Sequence, residues 1–207
     1  MGALSRFDLA RMSTQYGLLH FVETGTGIGQ SLAYACRFGF RTLRSCEIEA
    51  SLASRAVAAF AQDRRVTIWE RESQNFLEHT CRVIPDDEPV LFWLDAHFPG
   101  ADYGIRGYGA EKNEAIRLPL PSELEIIARY RPDGRDVVLC DDLRVWIDAP
   151  FASGNLPESV RPFCPRERSA EMFERVLGTT HTVTLRYEDE GYVMLTPNKV
   201  PAAADAA

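Results

Sequence analysis

Two short segments place acidic side chains and a histidine directly after apolar runs. One reads Phe-Trp-Leu-Asp-Ala-His and contains Asp95 and His97. The other reads Leu-Cys-Asp-Asp and contains Asp141 and Asp142. If the runs are adjacent strands of a parallel sheet, their carboxyl ends bring these side chains to one edge, where their oxygens would suit a hard cation such as Mg²⁺. The alternative is that the aspartates only cap loops and form turns.

A glycine-rich turn, Glu-Thr-Gly-Thr-Gly-Ile-Gly-Gln-Ser, occupies residues 23–31 after the first apolar run. Its glycines let the backbone turn sharply and approach a ligand, while the N–H groups of the following helix face that ligand. By itself the turn fits a dinucleotide, S-adenosylmethionine or no ligand at all. Glu47 favours a ligand, because it ends the second run at the spacing of an acid that binds ribose hydroxyls. Glu49 is the weaker candidate, since it would point to the other side of a continued strand.

Apolar runs alternate with segments of helical period, which predicts a parallel sheet flanked by helices. The fold class is therefore α/β: a Rossmann-like, doubly wound, mostly parallel seven-stranded sheet with a C-terminal antiparallel hairpin. Predicted strands span residues 19–23, 42–47, 66–71, 90–95, 136–141, 180–187 and 192–196. Predicted helices span residues 30–38, 50–61, 73–82, 122–130 and 167–177, with Ser122 as an N-cap.

Two polar stretches, residues 98–121 and 144–166, interrupt this alternation. They follow the fourth and fifth strands, so they fall on the edge where open α/β sheets bind ligands. We interpret them as enclosing a substrate, and the alternative is that they are tolerated surface loops. Their aromatic residues fit either a pocket lining or the packing of the loops onto the body: Phe98, Tyr103, Tyr108, Trp146 and Phe151.

Composition and charge limit the number of domains, the kinds of partner and the expected location. The 207 residues are 45% hydrophobic, which predicts one domain over residues 1–207. A net charge of -7 argues against nucleic acid, and no run approaches the roughly 18 apolar residues of a membrane helix. The charges of Arg6, Asp8 and Arg11 do not fit a signal peptide, and five cysteines without a C-x-x-C pair fit a cytoplasmic setting. A homodimer covering the two-loop edge stays open.

Over about residues 19–144, the chain resembles class I S-adenosylmethionine-dependent methyltransferases of the metal-dependent catechol O-methyltransferase type. That type opens with E-x-G-x-x-x-G-x-S, and the residues of the turn reproduce this motif. The resemblance implies that Ser31 and nearby backbone hold the methionine carboxylate, Glu47 the ribose, and the Ser73-Gln74 pair the adenine. Arg71-Glu72 stands where a glycine usually precedes that pair. The implied cofactor-binding residues are Glu23, Thr24, Gly25, Gly27, Gly29, Ser31, Glu47, Ser73, Gln74 and Asp95.

The same resemblance implies a magnesium site. Members bind Mg²⁺ through an Asp after strand four and an Asp-Asn pair after strand five. Asp95 and Asp141 match, and Asp142 replaces the Asn, so these three are the implied ligands. A divalent cation lowers the pKa of a bound oxygen, and an alkoxide or phenoxide attacks a sulfonium methyl better than its acid does. No lysine base occurs between Asp95 and Lys112, and His97 is the available substitute.

Asp95 and His97 are accordingly the expected catalytic residues, with His97 open as base, metal ligand or loop-ordering residue. The chain also resembles little-characterised bacterial proteins with F-W-L-D-x-H-x-x-G, P-L-x-x-E-L and D-D-x-R segments, a group commonly labelled methyltransferase. We expect a Mg²⁺-dependent O-methyltransferase acting on a small hydroxylated acceptor, such as a sugar or a natural-product intermediate. The alternatives are another reaction at the sulfonium, or a non-catalytic binding protein on this fold.

Overall fold

The computed structural model describes residues 3–199. The strands are β1 (His20–Thr24), β2 (Thr42–Glu47), β3 (Val66–Glu70), β4 (Val90–Leu94), β5 (Val137–Cys140), β6 (His181–Arg186) and β7 (Tyr192–Pro197). The helices are α1 (Leu9–Tyr16), α2 (Gln30–Ala35), α3 (Ala50–Phe60), α4 (Ser73–Val83), α5 (Glu114–Arg117), α6 (Leu120–Tyr130) and α7 (Glu171–Leu177). The strands lie within two residues of the predicted positions at either end.

The strands form one sheet in the order β3-β2-β1-β4-β5-β7-β6. β1 pairs in parallel with β2 and β4, so His20 lies opposite both Thr42 and Val90. β7 runs antiparallel to β5 and to β6, which closes the sheet with the predicted hairpin. The strand order reverses between β1 and β4, and such a reversal opens a crevice beyond the carboxyl ends of the strands. The predicted fold class is confirmed.

Helices cover both faces of the sheet, which explains why β4 and β5 are apolar along their whole length. Phe21 and Trp93 pack on the side of α1 and α2. Val22 and Phe92 pack on the side of α4 and α6. Successive side chains of a strand point to opposite faces, so each apolar run fills two separate core layers.

Helix α1 is the element that the sequence patterns missed. The side chain of Asp8 caps its start by accepting a backbone N–H, and Gly17 ends it in the left-handed conformation at φ 65°. Leu9, Met12 and Tyr16 turn one buried face towards the core. Asp8 and Gly17 are therefore the start and stop signals of a helix of only eight residues.

The prediction of Ser122 as an N-cap is wrong, because α6 begins earlier. Pro119 holds the N-cap position and the helix starts at Leu120. Pro121 lies in the first turn, where its missing N–H would have had no partner inside the helix and its ring fixes a helical φ. Two prolines thus open the helix that the pattern alone placed after them.

Two other helices are shorter than predicted. After α2, the N–H groups of Arg37 and Phe38 donate to carbonyls three residues back, so the chain tightens into a 3₁₀ turn at Ala35. Before α7, the guanidinium of Arg168 donates to the backbone carbonyls of Val145 and Ile147. These bonds hold residues 167–170 in the preceding loop, and the helix begins at Glu171.

The two insertions cross the carboxyl edge of the sheet, as predicted. Residues 98–113 form an irregular loop that leads into α5. In the second insertion, Asp148 accepts hydrogen bonds from Arg161 and from Arg168, which lies just beyond the insertion. These bonds join the two ends of the loop. Within residues 3–199, none of the helices has the length and apolar character that crossing a bilayer demands.

Candidate functional site

A pocket of about 740 Å³ opens beyond the carboxyl ends of β1, β2, β4 and β5. Most of the predicted site residues line it: Gly25, Gly27, Glu47, Ser73, Gln74, Asp95, His97, Asp141 and Asp142. The other four, Glu23, Thr24, Gly29 and Ser31, lie outside its lining. The crevice at the strand reversal is therefore a concave site that most of the predicted residues line.

The glycine-rich turn needs its glycines for two physical reasons. Gly25, Gly27 and Gly29 have φ angles of 79°, 53° and 81°, in the left-handed region that side chains disfavour. A Cβ atom at Gly25 would lie 2.7 Å from the backbone oxygen of Asp95, which no ordinary contact permits. The turn thus lies directly against the end of β4, where Asp95 and Ala96 follow the strand.

Glu47 is held in place by backbone alone. The N–H of Gly27 donates to its Oε2 at 2.8 Å, and the N–H of Glu49 donates to its Oε1 at 2.9 Å. Burial raises the pKa of Glu47, while these backbone bonds oppose the rise. A carboxylate fixed on both oxygens keeps lone pairs for a ligand at the pocket wall, which is what binding a pair of ribose hydroxyls requires.

Glu23 lies under the turn. It is fully buried, its Oε2 accepts a hydrogen bond from the Ser45 hydroxyl at 2.6 Å, and its Oε1 has no partner among the described residues. Burial raises the pKa of Glu23 to about 8, with a further contribution from the charge of Glu47. The Ser45 hydroxyl also lies 2.6 Å from the Thr26 hydroxyl, so Glu23 is connected to the turn through Ser45.

The predicted adenine residues lie at the start of α4. Ser73 is the first residue of the helix and is buried, and the side-chain amide of Gln74 donates to the backbone oxygen of Ala115. The N–H of Arg71 donates to the carbonyl of Glu47 at 3.0 Å, which continues the strand pairing through the position where a glycine was expected. Although Arg71 and Glu72 stand where a glycine was expected, both residues line the pocket.

Asp95 and Asp141 meet at the tips of β4 and β5. The N–H of Asp95 donates to Thr24 and the N–H of Asp141 donates to Leu94, so the sheet itself sets both backbones. Burial, followed by repulsion from Asp141, raises the pKa of Asp95 well above its ordinary value. Burial, followed by repulsion from Asp142, raises the pKa of Asp141 to about 7. Two buried carboxyl groups therefore lie close enough to repel each other, and a bound cation would offset that repulsion.

Asp142 faces His97 instead of the other carboxylates. Its φ of 52° is left-handed, an unfavourable conformation for aspartate that turns the side chain out of the strand direction. His97 Nε2 lies 2.7 Å from Asp142 Oδ2, and the guanidinium of Arg144 donates to Oδ1 at 3.2 Å. Burial alone would raise the pKa of Asp142, but the charge of His97 keeps it below its ordinary value.

His97 is surrounded by acids. Asp95 Oδ1 and Asp102 Oδ2 each lie 3.7 Å from a ring nitrogen, in addition to the contact with Asp142, and Nδ1 lies 3.1 Å from the carbonyl of Asp95. Burial would lower the pKa of His97, yet Asp142 and the other two carboxylates raise it to about 10. Both ring nitrogens already have partners, so a base role would require His97 to exchange one of them. Its role stays a prediction.

The donor set fits Mg²⁺ through two carboxylates. Within residues 3–199, no three His, Cys, Asp or Glu side chains come together as a complete metal site. Mg²⁺, however, keeps several waters and binds proteins through only one or two carboxylates plus substrate oxygens. Asp95 and Asp141 supply that pair at the pocket wall. Asp142 would first have to leave His97 and Arg144, so its assignment as a ligand stays a prediction.

The first insertion brings residues to the site that motifs did not single out. Glu49 Oε1 lies 2.7 Å from Arg106 Nε, so the acid judged weaker on the strand pattern binds the loop. Phe98 and Tyr103 line the pocket, whereas Tyr108 packs on Phe98 with ring centroids 5.2 Å apart. The sequence did carry one signal for this loop. Residues 100–109 contain four glycines, and such a composition favours an irregular backbone.

Glu123 of α6, the acid of the P-L-x-x-E-L segment, is a further buried carboxyl to which the sequence analysis gave no role. Neither of its oxygens makes a hydrogen bond within the described chain, and burial raises its pKa to about 7. The hydroxyls of Ser73 and Thr24 lie near enough to oppose that rise, although neither has hydrogen-bond geometry. Glu123 faces a smaller cavity of about 270 Å³ that also touches Asp95 and Asp141.

No protein-family model matches this chain, and no curated protein matches it either. Solved structures do share its fold. The O-methyltransferase from Bacillus cereus in complex with SAH has a TM-score of 0.57 and 14% identity, covering 92% of this chain and 79% of that one. The SAH-bound methyltransferase PaMTH1 from Podospora anserina has a TM-score of 0.56 and 16% identity, covering 94% and 84%. A SAM-dependent methyltransferase from Aquifex aeolicus has a TM-score of 0.52 and 15% identity, covering 91% and 88%.

Identities this low carry the fold alone. The chain has the fold of the S-adenosylmethionine-dependent methyltransferases, and the similarity extends over nearly its whole length. Two of these similar structures have SAH bound, and one of the two is an O-methyltransferase.

Proposed function

We propose that this protein is an S-adenosylmethionine-dependent O-methyltransferase acting on a small hydroxylated acceptor. The observation that carries the proposal is the pocket itself, which combines a backbone-held acid, Glu47, with the carboxyl pair Asp95 and Asp141. Glu47 would bind the ribose, Ser73 and Gln74 the adenine, and the glycine-rich turn the methionine end. The donor's sulfonium would then lie near the tip of β4.

The acidic wall is where the acceptor would bind. Asp95 and Asp141 would hold Mg²⁺ there, and the bound cation would supply a lowered pKa for the acceptor hydroxyl. Asp142 holds His97 beside this pair and keeps the imidazole directed at the wall. The chain's own contribution would be orientation: it would hold the acceptor hydroxyl beside the methyl group of the donor, and such positioning removes a large part of the barrier to a transfer between two substrates.

The residues of the pocket lining bear on the class of acceptor. Acids dominate the pocket lining: Glu47, Glu72, Asp95, Asp102, Asp141 and Asp142. Arg71 and His97 are the basic side chains in that lining. A hydroxyl oxygen is the acceptor group that a cation held by Asp95 and Asp141 would bind, so we infer a small hydroxylated acceptor, such as a sugar or a natural-product intermediate. We expect no nucleic acid or membrane partner, and a cytoplasmic location and a homodimer belong to the same proposal.

The first experiment measures donor binding and product together. Calorimetry with SAH should show a 1:1 complex, and labelled S-adenosylmethionine with a panel of polyols and phenols should give a methylated product and SAH. Release of methylthioadenosine would instead indicate another reaction at the sulfonium. Binding without turnover, unchanged by EDTA, would indicate a non-catalytic protein.

Asp141→Asn tests the acidic wall. We expect at least a 100-fold loss of turnover and a loss of Mg²⁺ binding in calorimetry, with SAH affinity within about threefold of wild type. Asp133→Asn is the matched control, because Asp133 is 58% exposed and lies 3.7 Å from Arg135. Full activity of Asp141→Asn in EDTA would contradict both the metal and the catalytic role of this wall.

A further inference from the structure

Residues 98–113 lie over the pocket as one preformed unit. The loop leaves the tip of β4 at Phe98, whose N–H donates to the carbonyl of Arg117 at 2.8 Å. Farther along, the N–H groups of Ile105 and Arg106 both donate to the carbonyl of Gly100, which closes the loop on itself. The Tyr108 hydroxyl donates to Asp102 at 2.8 Å, and its ring packs on Phe98. These bonds join the loop into one unit, and the unit is also tied to the body where Asp102 Oδ2 lies 3.7 Å from His97 Nε2 and the Arg117 guanidinium donates to the carbonyl of Glu111.

Two side chains of this loop contact the rest of the protein on either side of Glu47. Tyr103 occupies the space above Gly27, so closely that a Cβ there would lie 1.9 Å from its hydroxyl oxygen. Burial raises the pKa of Tyr103, and the nearby N–H of Ile28 opposes that rise. On the other side, Arg106 pairs with Glu49 at 2.7 Å. Gly27 and Glu49 are the same two residues whose N–H groups hold Glu47.

We propose that residues 98–113 are a lid over the donor pocket, and that Tyr103 and Arg106 are contacts that hold it shut on either side of Glu47. The inference rests on the proposed function, since it identifies the ligand under the lid as the donor. Because Phe98, Gly100 and Tyr103 of the loop form part of the cavity wall, lifting the lid would widen the path by which the donor enters and leaves.

The lid is built to open at modest cost. Arg106 is 49% exposed while its partner Glu49 is 8% exposed, so the ion pair sits at the rim, where water can replace it. Gly100 and Gly104 have φ angles of 70° and 67°, so the loop bends at residues with a wide conformational range. Residues 100–109 also contain Gly107 and Gly109.

The test is the rate of SAH release from the full-length protein, measured by stopped-flow fluorescence. Arg106→Ala should raise the dissociation rate about two- to fivefold, as expected for a partly exposed ion pair, and Tyr103→Phe should raise it by a similar factor. Adding Glu49→Gln to Arg106→Ala should change nothing further, because the pair is already broken. Salt should speed release from wild type but not from Arg106→Ala.

Hydrogen exchange supplies a readout that does not depend on turnover. The amides of Ile105 and Arg106 should exchange faster in Tyr103→Phe than in wild type, and SAH should slow them in wild type. Arg135→Ala is the matched control, since Arg135 is 47% exposed and lies far along the chain from the loop. SAH release and loop exchange equal to wild type in both Arg106→Ala and Tyr103→Phe would overturn the lid. Failure of wild type to bind SAH would overturn the proposed function itself, and calorimetry reports that before any variant is made.

Discussion

Glu23→Gln separates the buried carboxyl under the glycine-rich turn from every other pH effect in the protein. The Glu23 side chain is fully buried, with one oxygen bonded to Ser45 and the other without a partner in the described chain. Burial raises the pKa of Glu23 from its ordinary value of 4.5 to about 8. The folded protein therefore keeps this group protonated at neutral pH, and glutamine copies its shape and neutrality.

The sign follows from the direction of the shift. Below pH 4.5 the carboxyl is protonated in both the folded and unfolded chains, so its full contribution to stability is present. As pH rises towards 8, the unfolded chain releases a proton that the folded chain retains, so folding loses about 1.4 kcal/mol per pH unit. The accumulated loss by pH 8 is about 4 kcal/mol, and it levels off above that value.

Urea denaturation of wild type and Glu23→Gln at pH 5.5, 6.5, 7.5 and 8.5 measures this directly. The stability of the variant relative to wild type should increase by about 1.4 kcal/mol per pH unit and then level off, because all other titrating groups cancel in the difference. Glu125→Gln, at an exposed position of α6, is the control and should follow wild type. A difference that stays constant with pH, or that grows as pH falls, would refute the reasoning.

The other predictions concern the turn and the ribose site. Glu47→Gln should raise the SAH dissociation constant about 10- to 100-fold in calorimetry, because the amide nitrogen must face one of the two N–H donors; unchanged affinity would contradict the ribose role. Gly25→Ala should lower the free energy of unfolding by at least about 3 kcal/mol, since its Cβ would lie 2.7 Å from the Asp95 oxygen. Gly104→Ala has a similar φ but open space around it, so it should lose only about 1 kcal/mol; equal losses would mean that strain, not contact, dominates.

The positions of β4 and β5 could be read from the sequence because burial on both faces leaves a continuous apolar run, and the other strands were predicted from short β-rich segments. β2 coincides with its prediction, β1 is displaced by one residue, and β4 ends one residue earlier than predicted. Helix boundaries were harder, since they depend on contacts outside the helix. Arg168 delays the start of α7 by binding the carbonyls of Val145 and Ile147, and no local pattern contains those partners.

In the candidate site, too, some features could be predicted from the sequence and others could not. Spacing after an apolar run predicted that Asp95 and Asp141 reach one edge, and the pocket lining brings them together there. The direction of Asp142 could not be predicted, because it depends on a left-handed backbone and on His97, a residue 45 positions away in sequence. The same limit applies to Glu49, whose partner Arg106 lies on a loop with no periodic pattern.

By itself, the sequence determined the alternation of strands and helices, the glycine-rich turn and the acids at the strand ends, because each follows from local residue type and period. Only the tertiary structure decided which atoms those acids face. Glu47 is fixed by two N–H groups from separate segments, and Tyr103 reaches Gly27 across the pocket. Such contacts join residues far apart in the chain, and their energies depend on geometry that no local pattern encodes.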